Sequence, residues 1–186
     1  MHRSISDLTE GLDHLLESPV SDGVVEMIAV RPIEDQRELL PTGKLDTYLG
    51  LVGDNWKVRG NPHTADGSAD PRAQLTLMNS RVVDLVAGSR ERWALAGDQL
   101  YVDLDLSEQN LPAGTRLQIG DAVIEVSDKP HTGCKKFASR FGAEALRFVN
   151  TGVGRDARFR GLNAFVVRSG EVSVGDSVVK LTAPDL

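Results

Sequence analysis

The stretch Leu100-Tyr101-Val102-Asp103-Leu104-Asp105-Leu106 alternates apolar side chains with other, mostly polar ones. Successive side chains of a β-strand point to opposite faces, so this period of two predicts a half-buried strand. Further segments of strand composition are found over residues 24–31, 75–78, 116–119, 122–126, 164–168 and 177–181. The sequence is therefore predicted to be mainly β.

Gly-Asp dipeptides follow or precede most of these segments. They are Gly53-Asp54, Gly97-Asp98, Gly120-Asp121 and Gly175-Asp176, and their irregular spacing excludes a solenoid or propeller repeat. Glycine adopts positive φ and aspartate bonds to nearby backbone amides, so the simplest interpretation is four turns. Many short strands joined by such turns predict a closed or nearly closed barrel.

Helical spacing of apolar residues marks three segments, over 5–17, 80–92 and 134–150. Ser4 and Asp7 form a capping-box pattern at the start of the first segment. The predicted fold class is α+β, mainly β with flanking helices. We predict an N-terminal helical extension over residues 1–20 and a barrel domain over residues 21–186.

Composition limits the classes of partner. The chain has 186 residues, a net charge of −6 and a pI near 5.2, which argues against a general nucleic-acid or acidic-membrane surface. The single cysteine excludes an intrachain disulfide, and no segment has the length and apolar content of a secretory signal or a bilayer span. We expect a cytoplasmic protein with neither nucleic acid nor membrane as a partner.

That cysteine, Cys134, lies in the segment Lys129-Pro130-His131-Thr132-Gly133-Cys134-Lys135-Lys136-Phe137, where a strand gives way to a helix. Helix N-termini and nearby cations lower the pKa of a thiol, and this segment offers both influences. We therefore predict a reactive thiolate at Cys134. The alternative is a buried cysteine that acts as a small hydrophobic side chain.

Basic residues elsewhere are candidates for holding an anion. The polar segment 54–74 contains Lys57, Arg59, His63 and Arg72, and a loop of this length is often functional. Arg160 follows Arg155 and Arg158, and a planar guanidinium can hold a phosphate through two hydrogen bonds. In both places the alternative is an ordinary solvated surface.

Taken together, these residues resemble the MOSC domain, the molybdenum-cofactor sulfurase C-terminal domain. The resemblance covers about residues 24–181 and is strongest from His131 to Asp176. The matching motifs are His131-Thr132-Gly133-Cys134, Arg140-Phe141-Gly142, Leu146-Arg147-Phe148-Val149-Asn150, Phe159-Arg160-Gly161-Leu162-Asn163-Ala164-Phe165-Val166-Val167 and Gly170-Glu171-Val172-Ser173-Val174-Gly175-Asp176.

The resemblance implies a β-barrel similar to the barrel domain of pyruvate kinase, with a reactive cysteine at the mouth of a pocket. It implies that Cys134 either carries a persulfide sulfur for metal-sulfur centre assembly or ligates molybdenum held by a pterin. His131 is then expected as an acid, base or thiolate partner. The residues expected to bind the molybdenum cofactor are Arg160, Lys135, Arg59, Arg72 and Asn163.

Either role requires a separate chain as partner. A sulfur carrier needs a cysteine desulfurase, which would hold pyridoxal phosphate, and a reductase component needs an electron-donor protein. The enzyme class stays open between these two. Two alternatives remain: a non-catalytic ligand-binding barrel with a structural cysteine, and hydrolysis with Cys134 as nucleophile and His131 as base.

Overall fold

The computed structural model of the chain describes residues 2–182. Its strands are β1 Gly23–Val30, β2 Glu38–Leu40, β3 Thr42–Asp46, β4 Gly50–Leu51, β5 Leu75–Asn79, β6 Leu100–Asp103, β7 Arg116–Ile119, β8 Ala122–Val126, β9 Leu162–Arg168, β10 Gly170–Ser173 and β11 Ser177–Lys180. Its α-helices are α1 Ile5–Glu10, α2 Leu12–Leu16, α3 Trp56–Arg59, α4 Ser80–Ala87, α5 Lys135–Phe141, α6 Ala143–Asn150 and α7 Val153–Asp156. Short 3-10 helices cover Pro71–Ala73 and Arg90–Ala96.

Seven strands close a barrel in the order β1-β11-β7-β8-β9-β5-β6 and back to β1. The β5–β6 pair is parallel and the other pairs of the barrel are antiparallel. Strand β2 pairs with the far end of β1, and β10, β3 and β4 form a second small sheet. The prediction of a mainly β fold with a barrel and flanking helices is confirmed.

Apolar side chains form two cores, one inside the barrel and one between its wall and the helices. In β6, Leu100 and Val102 face the inner core while Tyr101 joins the outer core with Phe137. The alternation that predicted this strand therefore separates two buried faces. The strand ends at Asp103, earlier than predicted, although Leu104 stays buried in the inner core.

The N-terminal capping box is confirmed, because Ser4 and Asp7 exchange side-chain and backbone hydrogen bonds. The helix predicted over 5–17 is divided at Gly11 into α1 and α2. These helices pack on α6 and α4, with Leu8 fully buried in the outer core. The division into residues 1–20 and 21–186 stays a prediction, and residues 1 and 183–186 lie outside the described range.

The helices predicted over 80–92 and 134–150 are also interrupted, in both cases at a glycine with positive φ. Gly88 has a φ of 76° and ends α4, and Gly142 has a φ of 96° and separates α5 from α6. A residue with positive φ ends an α-helix, and glycine adopts this conformation without a steric penalty because it has no Cβ.

Strands β2, β3, β4 and β10 were not predicted. They are two to five residues long, and in β3 only Gly43 and Leu45 are buried, which is too short an alternation to predict a strand. Such short segments become strands because another strand lies beside them, as β10 does along β3.

The polar segment 54–74 contains α3, whose Trp56 is buried. No helix within residues 2–182 has the length and apolar character needed to cross a bilayer.

Candidate functional site

A buried charged cluster joins Asp98, His131 and Arg160. Asp98 Oδ1 lies 2.8 Å from His131 Nε2, and Asp98 Oδ2 accepts a hydrogen bond of 2.7 Å from Arg160 Nη1. Arg160 Nη2 also donates to the carbonyl of Ala96 at 3.1 Å, and the guanidinium lies 5.1 Å from the centre of the Phe137 ring. The Asp98 side chain is fully buried and that of Arg160 is 7% exposed.

The strand register and the length of the Arg160 side chain explain why these distant residues meet. Leu162 of β9 pairs with Leu77 of β5, and Leu77 pairs with Leu100 of β6. Strand β9 is antiparallel to β5 and β6 is parallel to it, so the residues before β9 and those before β6 extend in opposite directions along β5. The long Arg160 side chain covers this distance, passing Met78 Sδ at 4.0 Å on its way to Asp98. His131 arrives on the segment that follows β8, the other neighbour of β9.

The cluster fixes the protonation of the imidazole. Burial raises the pKa of Asp98, but the charge of Arg160 and the hydrogen bond from His131 outweigh it, so the pKa is lowered. Burial and then the charge of Arg160 lower the pKa of His131 against the opposing effect of Asp98. His131 is therefore neutral at neutral pH. Since a carboxylate only accepts, Nε2 carries the proton and Nδ1 is left as an acceptor.

A second buried ion pair lies next to this cluster. Arg31 Nε and Nη2 donate to the two carboxylate oxygens of Asp54, each at 2.8 Å, and the Asp54 side chain is fully buried. Arg31 Nη1 also donates to the carbonyl of Gly97 at 3.0 Å. The interpretation of Gly53-Asp54 and Gly97-Asp98 as simple turns is therefore incomplete, because their aspartates anchor cations.

Cys134 is exposed at one side of a cleft of about 400 Å³, here called the Cys134 cleft. His131 also lines it. The cleft is rich in cations, which are Arg31, Arg37, Arg59, Lys136, Arg140 and Arg160, and its acidic side chains are Glu34 and Asp35. The alternative of a buried cysteine is wrong, because the side chain is open to solvent.

Most cations of the cleft already have an acidic partner. Lys136 pairs with Glu34 at 2.5 Å, and Arg140 pairs with Asp35 at 3.1 Å. Over residues 2–182, Arg37 and Arg59 form no ion pair, and burial lowers the pKa of both guanidinium groups. An uncompensated, partly buried cation favours an incoming anion.

The cleft also contains polar atoms without partners. Asn55 Oδ1 and Arg160 Nε are buried and make no hydrogen bond, and both residues line the Cys134 cleft. An acceptor and a donor left open in one cleft match a heterocyclic ligand that has both N–H groups and ring acceptors. Asn55 was not identified from the sequence, where it stands as one more polar residue of the segment 54–74.

The predicted site residues do not all converge. Cys134, His131, Arg160 and Arg59 line the same cleft. His131 bonds to Asp98, and no hydrogen bond joins it to Cys134 in the described structure. Asp98 is the orienting group for the histidine that the sequence did not reveal.

Lys135, Arg72 and Asn163 lie elsewhere. Lys135 is exposed at the start of α5 and does not line the cleft. The Arg72 side chain is 59% exposed and pairs with Asp70 at 3.4 Å. Asn163 is buried and donates to the carbonyls of Lys129 and Pro130, so it supports the segment leading to His131.

Metal ligands are sparse around the cleft. Across residues 2–182 no three His, Cys, Asp or Glu side chains are grouped to hold a metal ion. Cys134 supplies one soft ligand, which suits a metal whose other ligands come from a cofactor. Together with the unpaired arginines and the two open polar atoms, this donor set fits an anionic molybdenum-pterin.

Three solved structures are similar to this fold. YuaD from Bacillus subtilis has 18% identity and a TM-score of 0.58, over 84% of this chain and 93% of that chain. YiiM from Escherichia coli has 21% identity and a TM-score of 0.54, over 86% and 70%. YiiM from Geobacillus stearothermophilus has 16% identity and a TM-score of 0.50, over 88% and 74%. At these identities the similarity establishes the fold alone.

No curated protein matches the chain. The family model described as the MOSC domain matches residues 64–179, more than half of the sequence. This range contains His131, Cys134 and Arg160, which belong to the matching motifs and line the cleft, and it contains Asp98, which bonds to two of them. The match and the barrel together show that this chain belongs to the MOSC domain family, which is associated with the molybdenum cofactor.

Proposed function

We propose that the Cys134 cleft binds a molybdenum-pterin, with the Cys134 sulfur as a ligand of the metal. The observation that supports this most strongly is an exposed thiol beside partly buried arginines that lack a counterion. A volume of about 400 Å³ is in the usual range for small-molecule sites. A thiol that only carries sulfur needs exposure, but it does not need such a cleft.

Four polar residues of the cleft have an expected part in holding the cofactor. Arg37 and Arg59 would neutralise its anionic end, Asn55 Oδ1 would accept from a ring N–H, and Arg160 Nε would donate to a ring acceptor. When bound, the molybdenum-pterin would supply oxygen-atom or sulfur transfer chemistry. Lys135, Arg72 and Asn163 have no expected contact with it, because they lie outside the cleft.

His131 has a separate part as a proton acceptor. Its pKa is lowered, so the imidazole is neutral, and Asp98 holds Nε2–H and leaves Nδ1 unprotonated. A neutral imidazole in a cleft can take a proton from a ligand at neutral pH. Asp98 acts on this step only through the imidazole and is therefore a positioning residue.

Partners and compartment stay predictions. Reduction of a substrate would require electrons from a separate protein, and sulfur transfer would require a separate cysteine desulfurase holding pyridoxal phosphate. Cytoplasmic location, the absence of nucleic-acid and membrane partners and the choice between sulfur carrier and reductase component likewise follow from the sequence as expectations.

The proposal is tested by molybdenum and pterin content. The wild type and the variants Cys134→Ser, Arg59→Gln and Arg72→Gln are produced in cells that make the cofactor, and metal is measured by mass spectrometry. We expect Cys134→Ser to lose molybdenum and Arg59→Gln to retain less than half. The matched control Arg72→Gln, which removes the same charge outside the cleft, retains the wild-type content.

Thermal melts show whether the variants fold. Wild-type molybdenum and pterin content in Cys134→Ser would exclude Cys134 as the ligand. Intact-mass measurement of wild type purified without reductant separates the two roles further. One additional sulfur atom on Cys134 without stoichiometric molybdenum would favour the sulfur carrier over the cofactor site.

A further inference from the structure

We propose that a second cleft, on the other side of His131 and Arg160 from Cys134, binds a small phosphomonoester. This cleft, here called the Arg158 cleft, has a volume of about 380 Å³. Cys134 does not line it, whereas His131 and Arg160 line both clefts. The proposal therefore goes beyond the Cys134 site and does not depend on it.

Among the cations of this cleft, Arg158 has the most distant acidic partner. Its side chain is 19% exposed, and burial lowers the pKa of the guanidinium. Nη1 donates to the neutral carbonyl of Leu111 at 2.7 Å, and its acidic partner, Glu108, is 3.9 Å from Nη2 and 79% exposed. By contrast, Arg31 and Arg81 each have a carboxylate at 2.8 Å.

The backbone of Arg158 supports the same conclusion. Its φ is +51°, a left-handed conformation that is uncommon for a residue other than glycine. The strained turn is held by a hydrogen bond from Gly161 N to the Arg158 carbonyl at 2.7 Å. Strain of this kind concentrates at functional sites, where it fixes the direction of a side chain.

The other cations of the cleft already have close acidic or carbonyl partners, so Arg158 is the cation left to attract an anion. Lys129 pairs with Asp70 at 2.8 Å, and the exposed Arg155 pairs with its neighbour Asp156 at 3.0 Å. The Arg160 guanidinium donates to Asp98 at 2.7 Å and to the Ala96 carbonyl at 3.1 Å. The facing acids are Glu108 and Asp128, both exposed and screened by water.

The shape and lining of the cleft indicate the class of ligand. Arg158 can bind a phosphate dianion, since guanidinium groups recognise phosphate through charge-assisted hydrogen bonds. Inorganic phosphate alone would leave most of the volume empty. Val149 and Leu162 give the remaining wall an apolar surface, so an organic group attached to the phosphate is expected to add affinity.

The test is calorimetric titration at low ionic strength with phenyl phosphate and with inorganic phosphate. We expect phenyl phosphate to bind more tightly than inorganic phosphate. Arg158→Gln should weaken binding about tenfold or more, because a charge-assisted hydrogen bond is lost. Glu108→Gln should tighten binding about threefold, because an opposing charge is removed. Arg168→Gln, an equal change of charge at an exposed position, should leave binding unchanged.

Several results would overturn the proposal. They are no measurable binding by the folded wild type, equal affinity in Arg158→Gln, or a loss in Arg59→Gln alone, which would place the phosphate in the Cys134 cleft. Glu108 is exposed, so its variant keeps the test decisive if Arg158→Gln does not fold. Cys134→Ser is expected to bind phenyl phosphate normally, which separates this inference from the proposed function.

One additional titration identifies the source of the phosphate. Protein loaded with molybdenum-pterin either still binds phenyl phosphate or is blocked. Retained binding assigns the Arg158 cleft to a separate small phosphomonoester. Blocked binding assigns it to the phosphate of the cofactor itself. Both results support a phosphomonoester site at Arg158.

Discussion

Replacement of Asp98 by asparagine is the sharpest test of the buried cluster. Asparagine has nearly the same shape as aspartate, so the substitution removes a charge and leaves the packing in place. Arg160, 7% exposed, then keeps its charge without a counterion, because its remaining bond goes to the neutral carbonyl of Ala96. His131 loses the carboxylate that accepts from Nε2.

Removing one partner of a buried ion pair costs about 3–5 kcal/mol. Asp98 is at the upper end of this range, because it is fully buried and bonded to two side chains at 2.8 Å or less. We therefore expect Asp98→Asn to lower the free energy of unfolding by about 5 kcal/mol at pH 7. The pKa of His131 should fall further, because Arg160 still opposes its protonation.

Urea denaturation measures the free energy of unfolding, and NMR titration measures the pKa of His131. Asp156→Asn is the control, since Asp156 pairs with Arg155 at the surface, and about 0.5 kcal/mol or less is expected there. The double variant Asp98→Asn, Arg160→Met should recover part of the loss, because the unpaired charge is gone. A loss below about 1 kcal/mol in Asp98→Asn would refute the argument.

Two further predictions concern neighbouring positions. The hydrogen bond from Lys129 outweighs burial and lowers the pKa of Asp70 to about 2, so its stabilisation is present above its unfolded pKa near 4 and is lost as the pH falls through 2. Urea titrations of Asp70→Asn should show a loss of about 2 kcal/mol at pH 7 and little at pH 2; equal losses would contradict this. Gly161→Ala should lose about 2 kcal/mol or more, since φ is +100° and the added Cβ would collide with the Leu77 carbonyl. A thermal melt of Gly161→Ala unchanged from wild type would exclude that collision.

The barrel strands could be predicted because their pattern is local. In β6 the side chains alternate between two cores, and in β8 Ala122, Ile124 and Val126 share the inner core, so a period of two is visible in the sequence of each strand. Strands β2, β3 and β4 could not be predicted, because they are only two to five residues long and are defined by the strand beside them, which for β3 is the distant β10. Helix ends were missed where glycine takes a positive φ, as at Gly142, since the apolar spacing continues across it.

Cys134 and Arg160, which line the candidate site, could be predicted from the sequence, and the aspartates that support it could not. A single cysteine in a polar, basic segment and a guanidinium before a strand are visible in sequence, which identified Cys134 and Arg160. The burial of Asp98 and Asp54 is not visible, because a Gly-Asp pair has the same local preference whether its aspartate faces water or an arginine. Only the tertiary structure brings an arginine to each carboxylate.

The distribution of counterions changes which arginines can attract a ligand. Arg160, the strongest candidate in the sequence, donates to Asp98 at 2.7 Å, so most of its charge is already compensated. It can orient a ligand through Nε, but it adds little net attraction for an anion. Arg37 and Arg59 on one side form no ion pair among the described residues, and Arg158 on the other has only the exposed Glu108 at 3.9 Å. Anion affinity in both clefts must therefore come from these three residues, with Arg160 fixing geometry between them.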